Sequence, residues 1–417
     1  MKVLYFHQYF VTPWGAGGNR SYRMAEALIK KGHQVIIVCG SGHGDTGLDG
    51  PFINGMRRGY IERIEVIELD LSYSNYLNLL SRSTIFLKFA YQSILIALKE
   101  DYDLVFATTT PLTAGIPGIF ARWLRRKTFV FEVRDLWPEL PKAMGIVKNP
   151  LVLFLMSGLE WLSYQSAQSL IGLSPGIVRG LKKKTIPQRQ ISMIPNGCDQ
   201  EFFEQSVDPW KPEGVEESDF MAIFCGAHGI ANGLKSVIYA ADELNKRNRN
   251  DIKLVLIGDG KQKQELKQIA KEAKLENVIF HDPVPKPRLI GLMKSADLGM
   301  QILANIPAFY YGTSPNKFFD YIVMGLPVLI NYPGWLAEQI KEHNCGFVFE
   351  PDDAKAFADA LQEASDNRVE LQKKGKRAKN LSLKFSRDVL SKQWVDLLEI
   401  THKENFKPES SINETIN

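Results

Sequence analysis

The sequence predicts an α/β fold made of two doubly wound domains, each with a parallel sheet. Short apolar runs alternate with longer helical segments in residues 1–200, and the same alternation returns from residue 220. This order of elements is typical of parallel strands joined by crossover helices. A polar stretch at 201–219 separates the two series, and 417 residues suffice for two or three domains with their own cores.

The first half contains seven strand-like runs with two clear helices among them. The helices are predicted at 21–31 and 111–125, and the strands at 3–6, 34–38, 64–69, 104–107, 128–132, 170–173 and 191–194. We therefore assign residues 1–200 to an N-terminal domain.

The second half repeats this pattern and ends in a long helix. Strands are predicted at 220–225, 253–257, 278–281, 298–302, 328–330 and 346–349, and helices at 235–247, 261–273, 286–295, 317–324, 335–342 and 354–364. We assign residues 201–385 to a C-terminal domain, 386–402 to a final helix and 403–417 to a polar tail that should be disordered.

The composition is that of a globular protein with a small positive charge. Hydrophobic residues make up 45% of the chain, and the net charge of +4 does not indicate nucleic-acid binding. Two basic clusters fit either solvated helix ends or contact with anionic lipid head groups. They are Arg122, Arg125, Arg126 and Lys127, and then Arg179, Lys182, Lys183 and Lys184.

The cysteines and the N-terminal residues favour a reducing, cytoplasmic environment. The four cysteines are far apart and lack metal-binding spacing, so neither a zinc site nor a disulfide framework is predicted. The chain enters an apolar strand directly after Lys2, without the layout of a signal peptide.

Two apolar segments, 85–98 and 151–162, raise the question of a membrane. Each is too short for an uninterrupted span of about 20 residues. Both are predicted to be buried helices. The first also fits an interfacial helix, because aromatic and basic residues alternate in it (Phe86, Lys88, Phe89 and Tyr91).

The segment 314–328 joins a polar loop to a helix with one carboxylate. Ser314, the following proline and Asn316 favour a helix start, where free amides bind anions, and Lys317 adds a positive charge. Asp320 lies about one turn further on, where its carboxylate can accept two ribose hydroxyls. The segment therefore predicts a binding site for a nucleotide-sugar. The alternative is an ordinary capped helix, which would have the same composition.

Two glycine-rich loops each follow a strand and precede a helix. The first contains Gly17 and Gly18, and the second contains Gly229 and Asn232. Glycine lets backbone amides approach a ligand closely, so both loops are candidate phosphate contacts. Because ligands bind at the carboxyl ends of parallel strands, we expect the two domains to face each other across a shared cleft.

A charged cluster follows the predicted strand at 128–132. Arg134 and Asp135 could hold an acceptor hydroxyl and assist its proton loss, and Glu139 and Trp14 are candidate acceptor contacts. The alternative is a structural Arg134–Asp135 ion pair. The D-x-D pattern at 101–103 precedes a strand, at the wrong end for the cleft, so it does not predict a metal site.

Six ordered pieces of the chain together resemble glycosyltransferase family 4. They are Gly17-Gly18, Leu173-Ser174, 195–199, 257–260, 295–297 and 315–328. The resemblance implies a retaining enzyme with the GT-B fold, in which two Rossmann-like domains face an interdomain cleft and a C-terminal crossover helix packs back on the N-terminal domain.

The stretch 134–139 looks like a bacterial subgroup that builds O-antigen and capsule, including L-fucosamine transferases. That likeness implies a UDP-sugar donor, with a sugar such as N-acetyl-L-fucosamine, and a lipid-linked saccharide acceptor. The protein would then be peripheral on the cytoplasmic face of the inner membrane.

The chain departs from the family at two places. Asp320 fills the second position of the family's glutamate pair, whereas Gly312 fills the first, and Ala227 and Asn232 stand where the family has Arg and Lys. We expect Lys317 and backbone amides to meet the phosphate charge without metal or cofactor. There are two alternatives. One is a UDP-sugar 2-epimerase or hydrolase with the same fold, and the other is a catalytically inactive, membrane-associated scaffold protein.

Overall fold

The computed structural model describes residues 1–15, 17–42, 46–74 and 76–405. The chain folds into two compact units. The first contains residues 1–12, 19–195 and the chain from 388 onward, and the second contains residues 13–18 and 196–387. Compactness therefore places the loop at 13–18 and residues 196–200 with the second unit, whereas the sequence suggested the first.

The first unit is built on an eight-stranded sheet with the order β3-β4-β2-β1-β5-β6-β7-β8, in which only β3 runs antiparallel. The strands are β1 (Lys2–Phe6), β2 (Gln34–Gly40), β3 (Met56–Ile61), β4 (Ile64–Leu69), β5 (Leu104–Thr108), β6 (Thr128–Val133), β7 (Ser169–Gly172) and β8 (Gln190–Met193). All seven predicted strands are present, and β3 was missed.

Helices cover both faces of this sheet. They are α1 (Arg20–Lys30), α2 (Leu79–Lys99), α3 (Ile116–Arg125), α4 (Glu139–Ala143), α5 (Pro150–Ser166), α6 (Pro175–Lys184) and the C-terminal α16 (Arg387–Asn405). On one face Trp394 of α16 is fully buried against Tyr5 and Phe106. The helix extends three residues into the predicted tail, and residues 406–417 lie outside the described ranges.

The second unit contains a six-stranded parallel sheet with the order β11-β10-β9-β12-β13-β14. Its strands are β9 (Phe220–Cys225), β10 (Ile252–Ile257), β11 (Val278–His281), β12 (Leu298–Gln301), β13 (Val328–Ile330) and β14 (Gly346–Val348). Its helices are α7 (Gln200–Phe203), α8 (Lys235–Lys246), α9 (Lys263–Glu272), α10 (Lys286–Ser295), α11 (Pro307–Tyr310), α12 (Asn316–Met324), α13 (Trp335–His343), α14 (Ala354–Asp366) and α15 (Arg368–Lys384). The α/β fold with two Rossmann-like parallel sheets is thus confirmed.

The two apolar segments form α2 and α5, but the prediction that these helices are buried is wrong for their outer sides. Phe89 of α2 and Tyr164 of α5 are buried in the core, whereas Leu87, Phe154 and Trp161 point to solvent. In the described ranges, none of the helices combines the length and the apolar character needed to cross a bilayer.

Candidate functional site

In the second unit, the loop after β9 and the start of α12 come together at the carboxyl end of the sheet. Gly226 and Gly233 in this loop have positive φ angles of 155° and 55°, conformations that favour glycine. Gly226 also leaves room for a neighbour, because a Cβ atom there would lie 3.2 Å from Lys317 Cε. The loop therefore folds tightly around the Lys317 side chain.

Lys317 is held between the loop and the sheet. Its Nζ donates to Asn232 Oδ1 at 3.0 Å and lies 4.1 Å from the centre of the Phe224 ring. Burial lowers the pKa of Lys317 to about 7. The ammonium is therefore poorly solvated, which makes a bound anion a favourable partner for it.

Asn232 also closes its own loop. Its Nδ2 donates to the Ala227 carbonyl at 2.7 Å. Asn232 stands where the family has a basic residue and cannot supply a charge itself. It instead orients Lys317, which can. Gly229 has no atom within 4 Å of an added Cβ, so its backbone borders open space.

The glycine-rich loop near the N-terminus lies against the start of α12. A Cβ atom on Gly18 would come within 2.5 Å of Asn316 Nδ2, so a larger residue there would displace the Asn316 side chain. Ser314 is fixed from another side, because its Oγ and carbonyl accept hydrogen bonds from Asn196 at 3.1 and 2.6 Å. Four predicted donor contacts, Gly18, Ser314, Asn316 and Lys317, therefore cluster around one helix N-terminus.

Asp320 lies one turn further along α12, and its carboxylate makes no hydrogen bond within the described chain. Burial raises the pKa of Asp320, Lys286 and Arg387 lower it, and Asp199 raises it again, with a net upward shift. Lys286 was not predicted as a site residue; its ammonium also lies over the Phe202 ring at 5.3 Å.

In the first unit, a buried ion cluster lies at the carboxyl end of β6. Arg20 Nη2 lies 2.7 Å from Glu132 Oε2, and both residues are inaccessible to solvent. Arg134 Nε lies 3.3 Å from the other Glu132 oxygen and 3.0 Å from Thr108 Oγ1. Burial alone would raise the pKa of Glu132, but the two arginines and its hydrogen bonds hold it below the ordinary value.

The alternative interpretation, a structural ion pair between Arg134 and Asp135, is not found, because Arg134 pairs with Glu132. Asp135 accepts instead from Thr110 Oγ1 at 3.3 Å. Burial raises the pKa of Asp135, while the Thr110 hydrogen bond and Arg134 lower it, and burial prevails. A carboxylate with a raised pKa is better suited to accept a proton near neutral pH.

The two predicted acceptor contacts, Glu139 and Trp14, belong to different units. Glu139 pairs with Lys184 at 3.0 Å, and that lysine also binds the buried Glu160 at 2.9 Å. Trp14 is exposed and packs beside Phe202, with ring centres 6.5 Å apart, in the second unit. Within the first unit, no described hydrogen bond or ion pair joins Glu139 to Asp135.

Two residues of the first basic cluster bind backbone carbonyls. Arg125 donates to the Ala97 carbonyl at 3.0 Å, and Lys127 donates to the Tyr102 carbonyl. Asp103, from the D-x-D pattern, accepts from the Lys2 amide at 2.7 Å, which is a structural role. Within the described ranges, no group of three or more His, Cys, Asp and Glu side chains is placed to hold a metal ion.

A cavity of about 1010 Å³ in the second unit lies at the opposite end of the sheet. Asp219, Asp297 and Pro327 line it, and each immediately precedes a strand. Its wall is closed by the ion pair between Arg368 and Asp297. Because it lacks the Gly-rich loop and the α12 N-terminus, we do not place the nucleotide-sugar there.

Two family models match the chain. One, described as "Glycosyl transferase 4-like domain", matches residues 15–197, and the other, "Glycosyl transferases group 1", matches residues 208–381. The chain is a glycosyltransferase with the GT-B fold.

Solved structures agree with this glycosyltransferase fold. Sucrose-phosphate synthase from Thermosynechococcus elongatus is 16% identical, with a TM-score of 0.74 over 97% of this chain and 100% of that one. HepE of Anabaena in complex with UDP-glucose is 17% identical, with a TM-score of 0.65 over 96% of this chain and 99% of that one.

One curated relative is an uncharacterized glycosyltransferase of Methanocaldococcus jannaschii. It is 22% identical over 201 residues, which are 48% of this chain and 51% of the relative. The match thus spans about half the length of that curated glycosyltransferase.

Sequence reasoning missed Arg20, Glu132 and Thr110 as members of the first-unit cluster. Glu132 was predicted inside a strand, where a charged residue is unusual, and that was the available signal. Nothing in the sequence pairs Glu132 with Arg20.

Proposed function

We propose that this glycosyltransferase moves a sugar from a UDP-sugar to a lipid-linked saccharide, with retention at the anomeric carbon. The observation that carries the proposal is the partly buried Lys317 ammonium, 3.0 Å from Asn232 Oδ1, in the first turn of α12. A diphosphate requires positive charge and amide donors, and both are offered there.

UDP is proposed as the nucleotide because solved relatives with this fold include a complex with UDP-glucose. Asp320 would accept hydrogen bonds from the ribose hydroxyls, for which its carboxylate has no competing donor in the described chain. Lys317 and the amides of Gly18, Gly229 and Asn316 would stabilise the leaving diphosphate, which is expected to be the largest catalytic contribution.

We further propose that transfer requires no metal and no cofactor. Lys317 and the amides would replace the charge that magnesium supplies elsewhere. Full activity in EDTA would support this, whereas strict dependence on added manganese would overturn it.

Asp135 is proposed to orient the acceptor hydroxyl and take its proton, with Arg134 beside it and Glu132 as the residue that positions Arg134. The finer assignment, an N-acetylated amino sugar such as N-acetyl-L-fucosamine added during O-antigen or capsule synthesis, rests on the resemblance of residues 134–139. A lipid-linked acceptor would place the enzyme on the cytoplasmic face of the inner membrane.

A panel of UDP-, GDP- and dTDP-sugars, with and without lipid-linked acceptors, tests the function. We expect turnover only with an acceptor. Turnover of the donor alone would favour the epimerase or hydrolase, and failure to bind any nucleotide would favour the inactive scaffold protein.

Lys317→Ala and Asp320→Ala should each weaken UDP binding measured by calorimetry, by about tenfold or more. Lys376→Ala is the matched control, because Lys376 is exposed on α15 and lines the cavity at the other end of the sheet. Equal affinity in all three variants would contradict the proposed donor site.

A further inference from the structure

Helices α2, α3 and α5 lie side by side on one face of the first unit's sheet. The helix α3 contacts both neighbours, and their inner residues share one buried cluster with the sheet. Such surface helices normally carry polar residues on the outer side. Here the outer side is apolar.

The outward residues follow helical spacing on α2, where Leu80, Leu87, Tyr91, Leu95 and Leu98 are all exposed. These positions recur every three, four or seven residues, so they form one stripe along the helix.

The neighbouring helices extend this surface. We define the apolar face by its most prominent exposed residues: Leu87, Tyr91, Trp123, Leu124, Phe154 and Trp161. Large apolar residues exposed together on adjacent helices mark a contact with another apolar body.

The exposed charges on these three helices are all positive. The basic residues are Arg82, Lys88, Lys99, Arg122 and Arg125. The single carboxylate, Glu160, is buried and bound to Lys184. No exposed carboxylate therefore lies on α2, α3 or α5.

We infer that the apolar face inserts into the interfacial region of a bilayer that contains anionic lipids. Apolar side chains would enter the acyl boundary, Tyr91, Trp123 and Trp161 would lie at the head groups, and Lys88 and Lys99 would meet lipid phosphates. Pairing of this face with a second copy would bring basic residues against basic residues, which is unfavourable. The inference deepens the proposed membrane association and needs no assumption about the sugar.

Vesicle co-sedimentation of the full chain tests it. We expect binding to phosphatidylcholine vesicles containing phosphatidylglycerol, and weaker binding to phosphatidylcholine alone. The double variant Leu87→Gln/Phe154→Gln should lose on the order of tenfold or more in affinity, because two apolar side chains no longer enter the bilayer.

The control variant is Val369→Gln/Leu383→Gln on α15 of the second unit. Its side chains are as exposed, at 70% and 63%, as Phe154 and Leu87 at 73% and 61%. It should bind vesicles like the wild type. Equal losses in both variants, or no binding by the wild type, would overturn the inference.

Tryptophan fluorescence reports the contact directly. Lipids brominated in the acyl chain should quench Trp123 and Trp161, and Trp123→Phe/Trp161→Phe should abolish that quenching although five of the seven tryptophans remain. Unchanged quenching in this variant would overturn the inference, as would a concentration-dependent dimer that Leu87→Gln/Phe154→Gln dissociates.

UDP binding, measured in parallel without vesicles, separates this inference from the proposed function. Normal UDP affinity with no vesicle binding rejects the membrane contact alone. Vesicle binding without UDP affinity rejects the donor site alone.

Discussion

The charge of Lys317 is expected to change in the physiological pH range. Its pKa of about 7 means that the free protein holds an ammonium below pH 7 and loses it above. A bound diphosphate favours the charged form and so raises that pKa. The affinity for UDP-glucose should therefore be constant below pH 7 and fall about tenfold per pH unit above it.

Calorimetry between about pH 6 and pH 9 measures this dependence, with uptake of about one proton near pH 8. Lys317→Arg is the matched control, because a guanidinium keeps its charge over this range and should give a flat profile. A flat profile for the wild type would show that Lys317 does not meet the diphosphate.

Ionisation of the Asp135 carboxyl group should determine how the transfer rate falls at low pH, which is the acid limb of the pH–rate profile. Its pKa is raised by burial, so the proton-accepting form is lost as the pH falls through that raised value. Asp135→Asn should lower kcat by about 10²- to 10⁴-fold with UDP affinity unchanged.

The Thr110 hydroxyl lowers this pKa through its hydrogen bond. Thr110→Val should consequently move the acid limb of the pH–rate profile to higher pH. The profile is measured with the donor and acceptor that the sugar panel identifies. An unmoved limb would assign the titration to another group.

At this scale, local patterns were sufficient to place the proposed donor residues of α12 together, but they did not reveal the first-unit cluster. Asn316, Lys317 and Asp320 belong to one helix start, so their proximity follows from helix geometry. Arg20 starts α1 and Glu132 lies near the end of β6, 112 positions further on, and only the tertiary fold brings them together.

Among the elements, α12 was predictable because its ends carry ordinary signals. Pro315 precedes it, and Gly325 ends it in a left-handed conformation with φ of 74°. The helix α15 was missed because it contains many charged residues and has Gly375 in its middle, which disfavours a helix.

The structure gives Gly375 a packing role. A Cβ atom there would lie 2.5 Å from the Gly325 carbonyl oxygen, where α15 crosses the end of α12. Alanine in a helix interior normally stabilises by about 1 kcal/mol relative to glycine. Gly375→Ala should instead destabilise, by about 1–3 kcal/mol, since the helices must move apart.

Urea denaturation measures this change in the free energy of unfolding. Gly158→Ala in α5 is the control, because its Cβ would meet nothing within 4 Å, and it should stabilise by about 0.5–1 kcal/mol. If Gly375→Ala also stabilises, the close packing of α15 on α12 is not present in solution.

Over the whole chain, two domains were predictable from the repeated strand and helix pattern, and the family resemblance implied that the last helix returns to the first unit. The chain leaves the first unit for 13–18, returns at 19, leaves again at 196 and returns at 388. The excursion at 13–18 was not predictable, because it depends on contacts such as Gly18 with Asn316, which lie far apart in sequence and carry no periodic signal.

Hydrogen exchange of the full chain with UDP tests how these distant segments cooperate. Backbone amides that bind phosphate exchange more slowly, so protection should appear together in the peptides with Gly17 and Gly18, residues 226–233 and residues 314–320. Lys317→Ala at the same UDP concentration should lose all of it. Protection limited to the cavity around Asp297, Pro327 and Arg368 would instead place the nucleotide at the amino ends of the strands and refute the proposed site.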